Sequence, residues 1–262
     1  MRSVGLLLVV AGCGFHASAP LPEQPPADAA APDSAAVALD AAPAPDATRS
    51  AFCSIDGIVV CFEFEGTADD GGVHGLPATA SGVSFPPGKV GMAMQVDAGS
   101  SVTLPGNPLF NVDAVTVEAW IRLTQLPAKN QVFDVIDVDN QYALTINDNG
   151  TVTCDLHGGP GKLDTQATVA VNQWTHVACA YDRTSGPHIY LDGGLVVSSN
   201  ANSAFDKGSH PMGIAQNYPS GSQLVGLIDQ LRLLDVARTT GEICQDAGGL
   251  FDVGSLVCVT TL

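Results

Sequence analysis

Positive charge is scarce in this chain. Of its 262 residues only 10 are Lys or Arg, four of them Lys, against 27 Asp and Glu, for a net charge of −17. Nucleic acids and anionic lipid surfaces are gripped through basic patches, so neither is expected as a direct partner. Polyanionic glycosaminoglycans go with them. Long apolar runs are also missing: no segment approaches the ~20 apolar residues of a membrane-spanning helix. There is no G-x-S-x-G nucleophile elbow and no internal repeat of fixed period. What remains open is a neutral ligand, a cation, or a protein partner of opposite charge.

The N-terminus reads as a sorting signal. Met1-Arg2 is followed by the short apolar run Val4 to Val10, then by "VAGC" ending at Cys13. Small residues ahead of a Cys are what a lipoprotein signal peptidase accepts, so residues 1–12 are expected to be removed and Cys13 lipidated. The alternatives are an ordinary signal peptide cut nearby or a short core helix. Residues 14–50 hold 13 Ala and seven Pro, with Phe15 the only aromatic. Pro at this density breaks helices and the segment has too little apolar bulk to fold, so 13–50 reads as a disordered linker. Extended, it would reach on the order of 110 Å. The chain is thus expected to be exported and held at the cell envelope, in the periplasm or at the outer-membrane surface, touching the membrane only through its lipid.

Apart from Cys13, six cysteines remain: Cys53, Cys61, Cys154, Cys179, Cys244 and Cys258. An even number in an exported chain favours disulfides over free thiols. Proximity favours Cys53–Cys61 and Cys244–Cys258, which leaves Cys154–Cys179.

From residue 51 to 262 the pattern is β-type alternation broken by Gly, Pro, Asn and Asp. Strands are expected at 58–64, 93–97, 101–105, 115–123, 131–138, 142–147, 151–157, 174–182, 188–193, 195–199 and 227–234. Many short strands with turn signals such as "NDNG", "TSGP" and "LDGG" indicate an all-β sandwich or jelly roll. One short helix is expected near the end, where Thr239 and Glu242 form a capping box.

The motifs "VTVEAWIRL", "NQWTHVACAYD", "IYLDGG" and "LVGLIDQLRLLDVARTTGEI", preceded by "CFEFEGTADDGGVHG" and "PGKVGMAMQVDAGSSVTLP", occur in the order and spacing of a known family. Together they resemble the laminin G-like jelly-roll domains of the concanavalin A-like lectin/glucanase group, over roughly residues 57–244. The resemblance implies a jelly roll of two antiparallel sheets. It leaves function open, since the group holds lectins, adhesion modules, pentraxins and glycosidases.

Several constellations look chemical. "CDLH" and "HVAC" pair Cys154 with His157 and His176 with Cys179, as a zinc site might. In a strand, residues three apart face opposite ways, so neither pair converges on one ion. Cys154 and Cys179 lie on apolar faces and read as a buried disulfide; His176 reads as structural. For glycoside hydrolysis, the laminarinase-type members of the group carry E-x-D-x-E or E-x-D-x-x-E on a strand. The nearest match here is "VIDVD", in which Val135 stands at the first Glu position and Asp139 shortens the last, so the pair of carboxylates that the reaction needs looks broken. No catalytic residue is assigned.

The resemblance also implies a structural Ca²⁺, with Asp229 near Glu63 or Glu65 of the opening strand, as the one cofactor to expect. The alternative for Asp229 is a buried carboxylate bonded to backbone. In "IAQNYPSGSQLVG", Gln216, Asn217 and Gln223 are neutral where ligand-dependent calcium sites of pentraxin type have acids. For sugar binding, Trp120 and Trp174 are expected in or under the sandwich, while Tyr218, Asn217, Gln216 and His157 are the candidates at a loop rim. The expectation is a noncatalytic module binding a carbohydrate or an extracellular protein. The alternatives are a polysaccharide-active hydrolase or a purely structural surface lipoprotein.

Overall fold

The computed structural model of the protein describes residues 50–260. The expected signal peptide, the lipidated Cys13 and the linker as far as residue 49 lie outside the described residues. Within them, sixteen strands and one α-helix, numbered in chain order, build two seven-stranded antiparallel sheets and a terminal hairpin. The first sheet runs β1 (Ile58–Phe62), β14 (Gly226–Leu234), β5 (Val115–Leu123), β10 (Thr175–Asp182), β11 (Gly186–Leu191), β12 (Gly194–Ser198), with β3 (Met94–Val96) also paired to β14. The second runs β2 (Thr79–Ser81), β4 (Ser101–Leu104), β13 (Met212–Ile214), β6 (Val132–Val138), β7 (Tyr142–Asn147), β8 (Thr151–Leu156), β9 (Gly161–Thr168). This is the jelly-roll sandwich expected from the sequence.

Alternation explains the layering. In β5, Val115, Val117, Ala119, Ile121 and Leu123 point into the shared core, where they meet Val177 and Ile189 of the same sheet and Ile136, Leu144 and Val152 of the other. The intervening Thr116, Glu118 and Trp120 point outward but are still buried. A second layer covers them: Phe52 and Ile55 pack on Cys61 and Leu234, and Ile243 of α1 (Thr240–Asp246) packs on Ala178, Ala180 and Tyr190. Thr239 and Glu242 cap α1 reciprocally, as expected.

Beneath that cover lies an ionic cluster. Arg232 of β14 faces Glu118 of β5 in register, donating to Glu118 Oε1 from Nε at 2.9 Å, and its Nη2 lies 2.9 Å from Asp246 of α1. His176 Nε2 lies 3.4 Å from Glu118 Oε2, and Arg238 reaches Asp246 at 2.7 Å. Burial alone would raise the Glu118 carboxyl, but His176 and Arg232 outweigh it and hold it below the usual carboxylate range. His176 is therefore structural, stacked edge-on against Trp120 with ring centroids 5.3 Å apart.

All three disulfides form with the pairing that proximity favours. Cys53–Cys61 staples the entering chain to β1, and Cys244–Cys258 ties α1 to the hairpin of β15 (Gly249–Asp252) and β16 (Val257–Thr260). Cys154 of β8 and Cys179 of β10 belong to different sheets, so their bond crosses the core and locks one layer to the other. Three such bonds fit an oxidising, extracellular setting. No helix among the described residues is long and apolar enough to cross a membrane.

Five strands were not expected. β2 and β13 have three residues each, too few to show a period; β9 and the β15–β16 pair carry so many exposed positions that no buried face marks them.

Candidate functional site: an acidic groove on the second sheet

The outer face of the second sheet is left open, and it is concave. A groove of about 590 Å³ runs across β6, β7, β8 and β9 and under the loop that holds Asn217 and Ser222. Its origin is a β-bulge. Asp134 pairs with Thr145 and Ile136 with Leu144, so Val135 is the extra residue on β6. Phe133, Val135, Ile136 and Val138 all point into the core. One inserted residue resets the two-residue period, and Asp134 and Asp137 consequently emerge on the same open face. This corrects the sequence expectation: Val135 does not hold a site position, and the carboxylate paired with Asp137 is Asp134, one residue upstream.

Register then builds the groove floor. Asp134 sits opposite Thr145, Thr145 opposite Thr153, and Thr153 opposite Asp164. The neighbouring row is Asp137, Ala143, Asp155, Lys162. Each row crosses four strands and so spans roughly 14 Å. Ala143 leaves a hollow in the second row because its neighbours on that row are all longer. The rows are tied together by side chains. Asn147 Nδ2 donates to Thr151 and Thr153 hydroxyls at 2.9 and 2.8 Å, and the Thr153 hydroxyl donates to Asp164. Lys162 Nζ lies 3.1 Å and His157 Nε2 3.4 Å from Asp155 Oδ2. Eighteen residues line the groove; only Val132 and Ala143 are apolar, and none is Trp, Tyr or Phe.

The electrostatics are lopsided. Five aspartates, at 134, 137, 148, 155 and 164, share the groove with one lysine and one histidine. Asp155 faces both Lys162 and His157. Asp137 Oδ2 accepts the Tyr218 backbone amide at 3.0 Å. Asp134 is 3% exposed; the Asn217 and Ser222 side chains lie beside its carboxyl, but its Oδ2 has no well-aligned donor. Burial, and then the negative charge of Asp137, push the Asp134 carboxyl up to about 7. Burial likewise raises Asp137.

The sequence candidates fall out as follows. His157 and Asn217 line the groove. Tyr218 lies beside it and contributes its backbone N–H rather than its ring. Gln216 does not reach it: the side chain is buried, with Nε2 directed at the Val102 carbonyl at 3.4 Å. A zinc site at the Cys/His pairs is ruled out, since Cys154 and Cys179 are bonded to each other and His176 is on the other sheet. Trp120 is buried under Lys89, whose Nζ lies 4.1 Å from the ring centroid, and Trp174 is half-buried just ahead of β10.

Asp229 lies on the covered face of the first sheet. A bulge around Gln230, at φ 45, separates Asp229 from the parity of Leu231, so Leu231 enters the core and Asp229 does not. Asp229 Oδ2 accepts the Lys89 and Val90 amides at 2.8 and 2.9 Å, while Glu65 accepts the Met92 amide. The two carboxylates clamp the 86–92 loop from both sides. Glu63 stands half-buried, its carboxylate toward Gly71. Calcium takes six to eight oxygens, and among the described residues no three His, Cys, Asp or Glu side chains gather at one point.

Groove residues that sequence reasoning missed include Asp134, Thr145, Thr153, Asp155, Lys162 and Asp164. A signal was present: the outward positions of β7, β8 and β9 are almost all Thr, Asn or Asp in three consecutive strands.

A laminin G family profile described as concanavalin A-like lectin/glucanases superfamily matches residues 96–244, more than half of the chain. Among solved structures, the chain is similar to domain 4 of AbnA, a GH43 extracellular arabinanase from Geobacillus stearothermophilus, in complex with arabinotriose. There the identity is 20%, the TM-score 0.58, and 72% of this chain and 97% of that one are covered. It is also similar to the binding domain of Paraclostridial Mosquitocidal Protein 1, at 16% identity and TM-score 0.61, covering 73% and 52%. A third is the binding domain of Botulinum neurotoxin DC in complex with SialylT, at 13% identity and TM-score 0.57, covering 74% and 51%. The chain thus spans about half the length of either toxin domain. No curated protein sequence matches it.

Proposed function

From the chain's membership of the concanavalin A-like lectin/glucanases superfamily, we propose that it is an exported, noncatalytic glycan-binding module. The lipid on Cys13 and the 13–50 linker would hold residues 51–262 at the cell envelope. The observation that carries the reading is the groove: a concave surface of about 590 Å³ lined mainly by hydroxyl, amide and carboxylate groups, with Val132 and Ala143 its only apolar side chains. Rows of Thr, Asn and Asp at strand spacing suit the hydroxyls of a sugar chain laid across the sheet. The arabinotriose bound to domain 4 of AbnA supports a carbohydrate as the ligand class. The test is a glycan array probed with the full chain and with a Thr153→Val, Asp155→Ala variant. Binding by the parent that the variant loses supports the reading; binding that survives, or no binding at all, removes it.

One observation favours a second reading. Asp134, raised to about 7, stands on one face with Asp137, and glycoside hydrolysis uses one protonated and one ionised carboxylate. Reducing-end release from laminarin or xylan, abolished by Asp137→Asn, would convert the module into a hydrolase. The calcium implied by resemblance at Asp229, Glu63 and Glu65 is tested by melting in calcium and in EDTA: a higher Tm with calcium assigns an ion there, and equal melting leaves Asp229 as a loop clamp.

A further inference from the structure

The groove carries an unbalanced charge that a neutral sugar would leave unbalanced. Asp155 is paired with Lys162 and faces His157. At the other end of the floor, no cationic side chain among the described residues forms an ion pair with Asp134 or Asp137; the neutral Asn217 and Ser222 side chains are beside the Asp134 carboxyl, and its buried Oδ2 is left short of a donor. A buried carboxylate oxygen without a partner costs folding energy. It is a place where a ligand donor gains more than it would at an exposed acid. Water-coordinating divalent ions do not suit it, because no third carboxylate or imidazole converges there among the described residues. A primary ammonium does: it has three donors, and one or two carboxylates satisfy it. The surrounding Thr145, Thr153 and Asn217 supply partners for hydroxyls.

We infer that the ligand of this groove is an amino sugar with a free ammonium group, a polymer of 2-amino-2-deoxyhexose, with the ammonium seated at Asp134 and Asp137. The inference rests on the glycan reading above and narrows it. The ammonium brings two or three charge-assisted hydrogen bonds to acceptors that the fold leaves short of donors. The remaining ring hydroxyls lie along the row from Thr145 to Asp164. An N-acetylated ring of the same shape has lost the charge that Asp134 and Asp137 would pair with, and adds an acetyl group to a floor whose only apolar side chains are Val132 and Ala143.

The experiment is calorimetric titration of the full chain with four probes: a glucosamine oligomer, its N-acetylated counterpart, a neutral glucose oligomer of equal length, and spermidine. The glucosamine oligomer is expected to bind on the order of tenfold or more tighter than either of the other sugars, and to weaken as salt is added. Asp134→Asn and Asp137→Asn should each cost on the order of tenfold in that affinity, with cooperative melting retained as the check on folding. Acetylated or neutral oligomers binding as tightly would overturn the inference and leave the glycan reading standing. No binding of any sugar would remove both. Spermidine binding as tightly as the amino sugar would reduce the groove to a charge trap and overturn the sugar assignment.

Discussion

Asp134 is an acid whose ionisation the fold changes strongly. Its carboxyl is held at about 7 in the folded chain against an ordinary 3.8, so the folded state binds this proton more tightly than the unfolded one. The stability it contributes is present below about 4 and is lost as the pH rises through 7. Asp229, raised by burial to about 6, acts in the same direction over a narrower window. Asp134→Asn is therefore expected to flatten the fall of Tm between pH 4 and 8. At pH 8 it should be more stable than the parent by on the order of 2–4 kcal/mol. A Tm series in which the variant keeps the parent's slope would show that the carboxyl titrates normally. Glu118 has the opposite sign: held below its ordinary 4.5, it stabilises above that value and ceases to as the pH falls further. Arg232→Met, which removes the guanidinium shared by Glu118 and Asp246 and leaves them His176 and Arg238 respectively, should cost about 3–5 kcal/mol in urea denaturation. At this scale the sequence was misleading in a specific way. Counting by twos put Val135 in the site and Asp229 in line with Leu231, because a bulge adds one residue without leaving a mark in composition. Where no bulge intervenes, as around Cys154 in β8 and Cys179 in β10, the same count assigned both cysteines to the core correctly.

At the scale of elements, the bond between β8 and β10 is the only disulfide that joins the two sheets among the described residues. It closes a separation of 25 residues, for which chain entropy implies about 3 kcal/mol. Replacing both Cys154 and Cys179 by Ala should lower stability by about that amount plus a small cavity cost, read by chemical denaturation. The 86–92 loop depends on its glycines. Gly91 has φ +56, and a Cβ there would sit 2.0 Å from Glu65 Oε1; one on Gly88 would sit 2.6 Å from Asp229 Oδ2. Gly91→Ala is expected to cost more than ~1 kcal/mol and to expose Trp120, visible as a red-shifted fluorescence maximum. The long central strands and the capped helix were readable because each carries an unbroken period or a paired signal. The groove was not, because it is assembled from four strands whose order in space, β6 to β9, is a property of pairing rather than of any one segment. His157 and Asn217 were found by looking at loops; the strand residues between them carried no comparable label.

For the whole molecule, the excess of 17 negative charges opposes compaction, and the groove gathers a share of it. Salt is expected to stabilise: Tm should rise between about 0.01 and about 0.5 M NaCl as the Debye length shrinks well below the molecular diameter. A flat profile would mean that the charges are already paired. The two faces of the sandwich differ in a further respect. Phe52, where the polypeptide enters, accepts a hydrogen bond from Arg232 at 2.9 Å on the covered face of the first sheet, while the groove opens on the second. A pull on the residues before 50 would therefore enter the fold through the Cys53–Cys61 staple into β1 and on to β14. The load path ends in the sheet that does not carry the groove. A leash attached there would drag the domain from behind, with its grooved face forward and mechanically unloaded.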